Sequence, residues 1–116
     1  MTFEIPYGHQ SISDEDIDAV AEVLRSDWLT TGPAVRGFEA ALRTAAQARH
    51  AIAVTSGTAA LHVAYAAVGV GQGSRIITSP LTFVATAAAA MQLGARVAFV
   101  DVDEVTGCID PAEVSN

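Results

Sequence analysis

The chain has 116 residues, 51% of them apolar and 16% charged, a balance that excludes intrinsic disorder and bounds the chain to one domain of modest size. Thirteen acidic residues against six basic ones leave a net charge of −7, which excludes the basic face that a nucleic acid or an anionic membrane requires. The basic residues are all arginines (Arg25, Arg36, Arg43, Arg49, Arg75 and Arg96), and lysine is absent.

Cys108 is the single cysteine. It admits no internal disulfide, so the expected compartment is a reducing cytoplasm. No basic segment leads into an apolar run at the N-terminus, so no secretory signal is read there. The longest apolar stretch, 83–91, is interrupted by Thr86 and falls far short of a membrane span. His9, His50 and His62 are scattered without metal-ligand spacing and read as ordinary surface or core histidines, so no metal is expected.

In chain order, residues 1–10 read as an extended arm. Ser13 stands three before Asp16, the spacing of a capping box. Asp14, Glu15 and Asp16 put negative charge where the helix dipole favours it. Ile17, Val20, Ala21 and Leu24 form one helical stripe, which predicts a helix over 14–26. The segment Asp27-Trp28-Leu29-Thr30-Thr31-Gly32-Pro33 breaks it. A second helix is expected from about Ala34, with Val35, Phe38, Ala41 and Leu42 facing inward.

From Ala51 the period changes. The spacing predicts strands over 51–55, 75–78 and 96–101, and helices over 59–68 and 82–93, each helix closed by a glycine, Gly69 and Gly94. Asp110-Pro111 reads as an N-cap followed by proline at the first helical position. The order is βαβαβ after an arm and two helices, so the division is 1–50 and 51–116. The class is α/β with a parallel sheet. Ligands bind such sheets beyond the carboxyl ends of the strands.

Two segments lie on that side. In Ser56-Gly57-Thr58-Ala59-Ala60, Gly57 permits close backbone approach, and Thr58 and Ala59 offer N–H groups at a helix N-terminus where a phosphate fits. The same residues equally describe a plain turn with Thr58 as N-cap. Phe83 opens the next helix, where its ring either stacks on a planar ligand or fills the core. Gly69, Gly71 and Gly73 follow a helix and precede a strand, the wrong order for a dinucleotide fingerprint, and read as a connecting loop. Asp101 and Asp103 read as solvated or capping residues at a strand end.

Four motifs in order resemble one known family: Trp28-Leu29-Thr30-Thr31-Gly32-Pro33; Thr55-Ser56-Gly57-Thr58-Ala59-Ala60-Leu61-His62; Pro80-Leu81-Thr82-Phe83-Val84-Ala85-Thr86-Ala87; and Phe99-Val100-Asp101-Val102-Asp103. The chain is similar along essentially its whole length to the DegT/StrS sugar aminotransferases. That resemblance implies the aspartate-aminotransferase (type I) fold and pyridoxal 5′-phosphate as cofactor. Ile5-Pro6-Tyr7-Gly8-His9-Gln10-Ser11-Ile12 and Gly107-Cys108-Ile109-Asp110-Pro111 look most like the pseudaminic-acid branch. Members of that branch aminate C4 of a UDP-linked 4-keto-6-deoxy-N-acetylhexosamine with glutamate as donor.

By the same resemblance, Gly57, Thr58 and Ala59 bind the cofactor phosphate and Phe83 stacks on its ring. Tyr7, Asp27, Trp28, Leu29, Thr30 and Ser56 line the substrate site, and a homodimer is implied. Ala88 stands where the family often has asparagine. The family's cofactor-bonding lysine and the aspartate that pairs with the pyridine nitrogen lie further along than this chain reaches, so no catalytic residue is expected within it. The expectation is the N-terminal part of an enzyme, inactive alone. Its rivals are another aminotransferase or a regulator of the same fold, or a non-catalytic α/β domain complete at this length.

Overall fold

The computed structural model describes residues 8–114. They fall into two compact units, Met1–Ala53 and Val54–Asn116. The described residues of each are taken separately.

The first unit holds α1 (Asp14–Arg25) and α2 (Pro33–Ala45). The capping box starts α1. The Asp16 N–H donates to Ser13 Oγ at 3.3 Å, and Asp16 Oδ2 accepts the Ser13 N–H at 2.8 Å. The same exchange holds the Asp16 carboxyl below its ordinary pKa, the Ser13 N–H acting most and the Ser13 hydroxyl next. Ser26 ends the helix, its Oγ donating to the Val23 carbonyl at 2.8 Å and accepting the Trp28 N–H at 3.1 Å. Gly32 caps α2 and Pro33 occupies its first position.

The inward faces expected of these helices are not covered. Ile17, Val20 and Leu24 are 57–66% exposed, and Val35, Phe38 and Leu42 are 40–56% exposed; Ala41 is exposed too. An amphipathic stripe records a preference for burial, but a partner must supply the cover. Here α1 and α2 do not pack face to face. Gly32 is the one buried residue of this unit among those described.

The second unit runs α3 (Gly57–Ala67), β1 (Arg75–Thr78), α4 (Ala85–Gln92), β2 (Arg96–Phe99) and α5 (Pro111–Val114). β1 and β2 are parallel, Arg75 opposite Arg96 and Thr78 opposite Phe99, with α4 as the crossover between them. The core is made of alanines: Ala85, Ala87, Ala89 and Ala90 of α4, with Ala95 before β2. Such small side chains let α4 lie close to the sheet and to α3, both of which it packs against.

The expected strand over 51–55 is a correction. The segment is not a strand, and the sheet has two strands among the described residues. The Ala53 N–H donates instead to Glu39 Oε1 at 2.9 Å. An apolar run becomes a strand only where a ladder pairs its backbone, and no ladder forms here. Two predicted helices also start elsewhere: α3 begins at Gly57, before the expected Ala59, and α4 at Ala85, after the expected Thr82.

Helix ends follow the glycines. Gly69 has φ +82° and Gly94 φ +87°. In each case paired 6→1 and 5→2 hydrogen bonds close the last turn, as in Val70 N–H to the Tyr65 carbonyl at 2.9 Å. α2 closes the same way on Gln47, which has φ +50° without being glycine. Beyond β2, Val102 bridges Ile109, and Asp103 Oδ1 accepts the Thr106 N–H and hydroxyl, both at 2.8 Å. Asp110 Oδ1 caps α5 through the Ala112 N–H at 2.8 Å.

Candidate functional site

The carboxyl edge of the sheet organises the second unit. α4 leaves β1 and returns to β2, so its N-terminus sits at that edge. A seven-residue connection takes the end of α3 into the start of β1. The two helices pack against each other. The Tyr65 hydroxyl donates to the Thr86 carbonyl at 3.1 Å. In the segments that follow the two helices, a Cβ on Gly94 would lie 2.9 Å from Gln72 Cγ.

Ser56 is the N-cap of α3, in extended backbone, and its Oγ accepts the Ala59 N–H at 3.1 Å. This corrects two expectations. Thr58 is not the cap, and the Ala59 N–H is not free. Serine at the cap reaches the third N–H of the helix by geometry, so it takes that donor first. The Gly57 and Thr58 N–H groups have no acceptor among the described residues. A Cβ placed on Gly57 would meet nothing within 4 Å, so the backbone at the helix start is open on its side-chain side. Two such N–H groups with a helix dipole behind them suit a phosphate.

Phe83 lies two residues before α4, and its carbonyl accepts the Thr86 N–H at 3.1 Å. Its side chain is 70% exposed. Phe83 is therefore not part of the alanine core that the described residues form. The turn is stiffened by the Thr82 and Thr86 hydroxyls, 2.9 Å apart, and by the Leu81 N–H donating to Ser79 Oγ at 2.9 Å.

Asp27, Trp28, Leu29 and Thr30 are exposed and belong to the first unit. Trp28 borders a 360 Å³ notch with Thr31, Gly32, Pro33 and Arg36. Thr31 has φ +53°, a left-handed backbone that a β-branched residue adopts only under strain. Tyr7 lies outside the described residues. Ser26, which holds the Trp28 N–H, was not singled out from sequence; serine after a helical stripe carries no signal of that role. Nor was His62, whose Nδ1 is buried on α3 with no hydrogen-bond partner among the described residues. Among the described residues no cluster of three or more His, Cys, Asp or Glu could hold a metal ion, and no helix is long and apolar enough to cross a membrane.

Residues 10–116 match the sequence profile of the DegT/DnrJ/EryC1/StrS aminotransferase family. The chain belongs to that family. It is 46% identical over 110 residues to the spore coat polysaccharide biosynthesis protein SpsC of Bacillus subtilis, covering 95% of this chain and 28% of that protein. It is 45% identical over 98 residues to the UDP-4-amino-4,6-dideoxy-N-acetyl-beta-L-altrosamine transaminase of Campylobacter jejuni, covering 84% of this chain and 26% of the transaminase. Spr1654 of Streptococcus pneumoniae, in its PLP-form, superposes with a TM-score of 0.86 at 29% identity, over 97% of this chain and 29% of Spr1654. The chain thus spans between a quarter and a third of the length of each. Over that span its architecture is that of the type I aminotransferase fold.

Proposed function

We propose that this chain supplies the phosphate and ring contacts of a pyridoxal-phosphate-dependent sugar aminotransferase, and that the catalytic lysine is not among its residues. The observation that carries this reading is the N-terminus of α3. Gly57 and Thr58 carry N–H groups without an acceptor among the described residues, and Phe83 is exposed at the turn into α4; in this reading the two segments face one cofactor. The cofactor, when bound, supplies the electron-withdrawing ring that carries an amino group from donor to acceptor. The Gly57 and Thr58 N–H groups and the Thr58 hydroxyl would hold its phosphate. Ala59 would join them only by releasing Ser56 Oγ. The Phe83 face would lie against the pyridine ring, fixing its plane and keeping water from one side.

For the substrate we propose a UDP-linked 4-keto-6-deoxy-N-acetylhexosamine, with glutamate as amino donor. The support is the 45% identity to the Campylobacter jejuni transaminase together with the motif resemblance. Tyr7, Asp27, Trp28, Leu29, Thr30 and Ser56 would line the sugar site, in a cytoplasmic homodimer. The 46% identity to SpsC favours, almost equally, a second reading in which another sugar is the acceptor.

The test has two parts. With pyridoxal phosphate, glutamate and the UDP-keto-sugar, the 116-residue chain should give no amino sugar above the cofactor-only control, because lysine is absent. Turnover would overturn the assignment of catalysis to residues outside the chain. In an enzyme carrying this segment and the lysine, Thr58→Val should weaken cofactor binding roughly ten- to hundredfold, the worth of a charge-assisted hydrogen bond. An unchanged dissociation constant would remove Thr58 from the site.

A further inference from the structure

The charge of the chain is segregated. Between residues 28 and 100 a single acidic residue, Glu39, stands against five arginines, while the other acids fall in 4–27 and 101–113. Three of those arginines converge. Arg36, Glu39 and Arg43 share one face of α2, at the i, i+3 and i+7 positions. The turn at Gln47, closed by the Ala48 N–H on the Arg43 carbonyl at 3.0 Å, brings the chain back so that Arg49 and His50 border the same notch. Its volume is 170 Å³, below the ~300–1,000 Å³ of sites for drug-sized ligands and equal to only about five or six waters.

Glu39 is the one acidic residue at the border of this cluster. Its Oε1 accepts the Ala53 N–H at 2.9 Å. Three guanidinium groups and one carboxylate leave a local charge of +2 in a chain of −7. Guanidinium forks match tetrahedral oxyanions in a bidentate way, and a small concave notch of charge +2 is complementary to a compact dianion.

We infer that this notch is an anion site for a phosphate group, held by Arg36, Arg43 and Arg49 with His50 at its border. It shares no residue with the phosphate contacts assigned to α3 and does not depend on them. Arg36 also lines the Trp28 notch, so the phosphate belongs either to a free phosphate compound or to a nucleotide whose base reaches the indole.

Inorganic phosphate, pyrophosphate and uridine diphosphate, each titrated at constant ionic strength into an enzyme carrying this segment, test this. The Nε–H resonances of Arg36, Arg43 and Arg49 should shift saturably, with those of Arg25, Arg75 and Arg96 still. Arg43→Gln and Arg49→Gln should each weaken pyrophosphate binding about tenfold or more, and Arg96→Gln should not. Uridine diphosphate binding more tightly than pyrophosphate, with quenching of Trp28, identifies a nucleotide; equal affinity identifies a free phosphate compound. Even, non-saturating shifts across all six of these arginines would overturn the site. So would pyrophosphate affinity that survives both substitutions. The unmutated enzyme reports through its own resonances, so a variant that fails to fold leaves the test intact.

Discussion

Trp28 is folded onto Gly32. A Cβ on Gly32 would lie 2.6 Å from Trp28 Cβ, and Gly32 is buried beneath it. The contact is with the root of the tryptophan, so rotating the indole cannot relieve it. Gly32→Ala should therefore displace Trp28 or the loop and cost about 1–3 kcal/mol. Trp28 is the only tryptophan, so its fluorescence maximum and the unfolding midpoint report the change directly. Unaltered emission and stability would mean that the loop yields freely.

Ser56 spends its hydroxyl oxygen on the Ala59 N–H. Ser56→Ala should lower stability by about 1 kcal/mol through loss of the cap, and Ser56→Asp should retain most of it. The two variants should diverge in anion binding. Alanine frees a third N–H in front of the helix, whereas aspartate places a carboxylate there. Equal phosphate affinity in both would separate the cap from the anion contact.

Tyr65→Phe removes the hydrogen bond from α3 to the Thr86 carbonyl. The expected loss is about 1 kcal/mol, seen as a lower denaturation midpoint at unchanged slope. Because Thr86 stands in the first turn of α4, faster amide exchange at Thr86 and Ala87 should accompany it. Exchange limited to α3 would show that Tyr65 does not restrain α4.

The Asp103 carboxyl is held below its ordinary pKa, first by the Thr106 N–H and then by the Thr106 hydroxyl. A folded pKa below the unfolded one makes this contribution complete above the unfolded value. It is lost as pH falls through the folded one. The turn over 103–108 should accordingly loosen below about pH 4. Thr106→Ala keeps the larger influence and removes the smaller, so the Asp103 carboxyl resonance should titrate at higher pH than in the unaltered chain, though not as a free aspartate. An identical titration would assign the whole effect to the backbone.

Apolar side chains remain open in both units, among them Leu24 at 66%, Phe38 at 56%, Ile52 at 74% and Phe99 at 57%. The charge of −7 aids solubility without covering them. The 116-residue chain should self-associate or bind an apolar dye. A sharp cooperative melt from a monodisperse monomer would instead favour a self-contained domain.

Local chemistry wrote much of this structure into the sequence. Ser13 and Asp16 define a helix start, Gly69 and Gly94 define helix ends, and Asp110-Pro111 defines the cap of α5, because each acts on backbone groups within a few residues. The parallel pairing of 75–78 with 96–99 was legible for a related reason: two short apolar runs flank one helix-length segment. The alanine run over 87–90 was visible only as composition; that it is the core follows from how close α4 lies to its neighbours. Tertiary structure alone decided the remainder. Residues 51–55 have the pattern of a strand but no ladder, and the stripes of α1 and α2 have the pattern of core faces but no cover, since pairing and burial need partners distant in sequence. Phe83 could be buried or open on its pattern, and Thr58 read as the cap of its helix. Phe83 lies outside the core of the described residues, and the cap is Ser56, whose extended backbone and hydroxyl take the role expected of Thr58. Gln47 and Thr31 carry positive φ with no glycine to announce it, because the surrounding turns impose a conformation that their own propensities oppose.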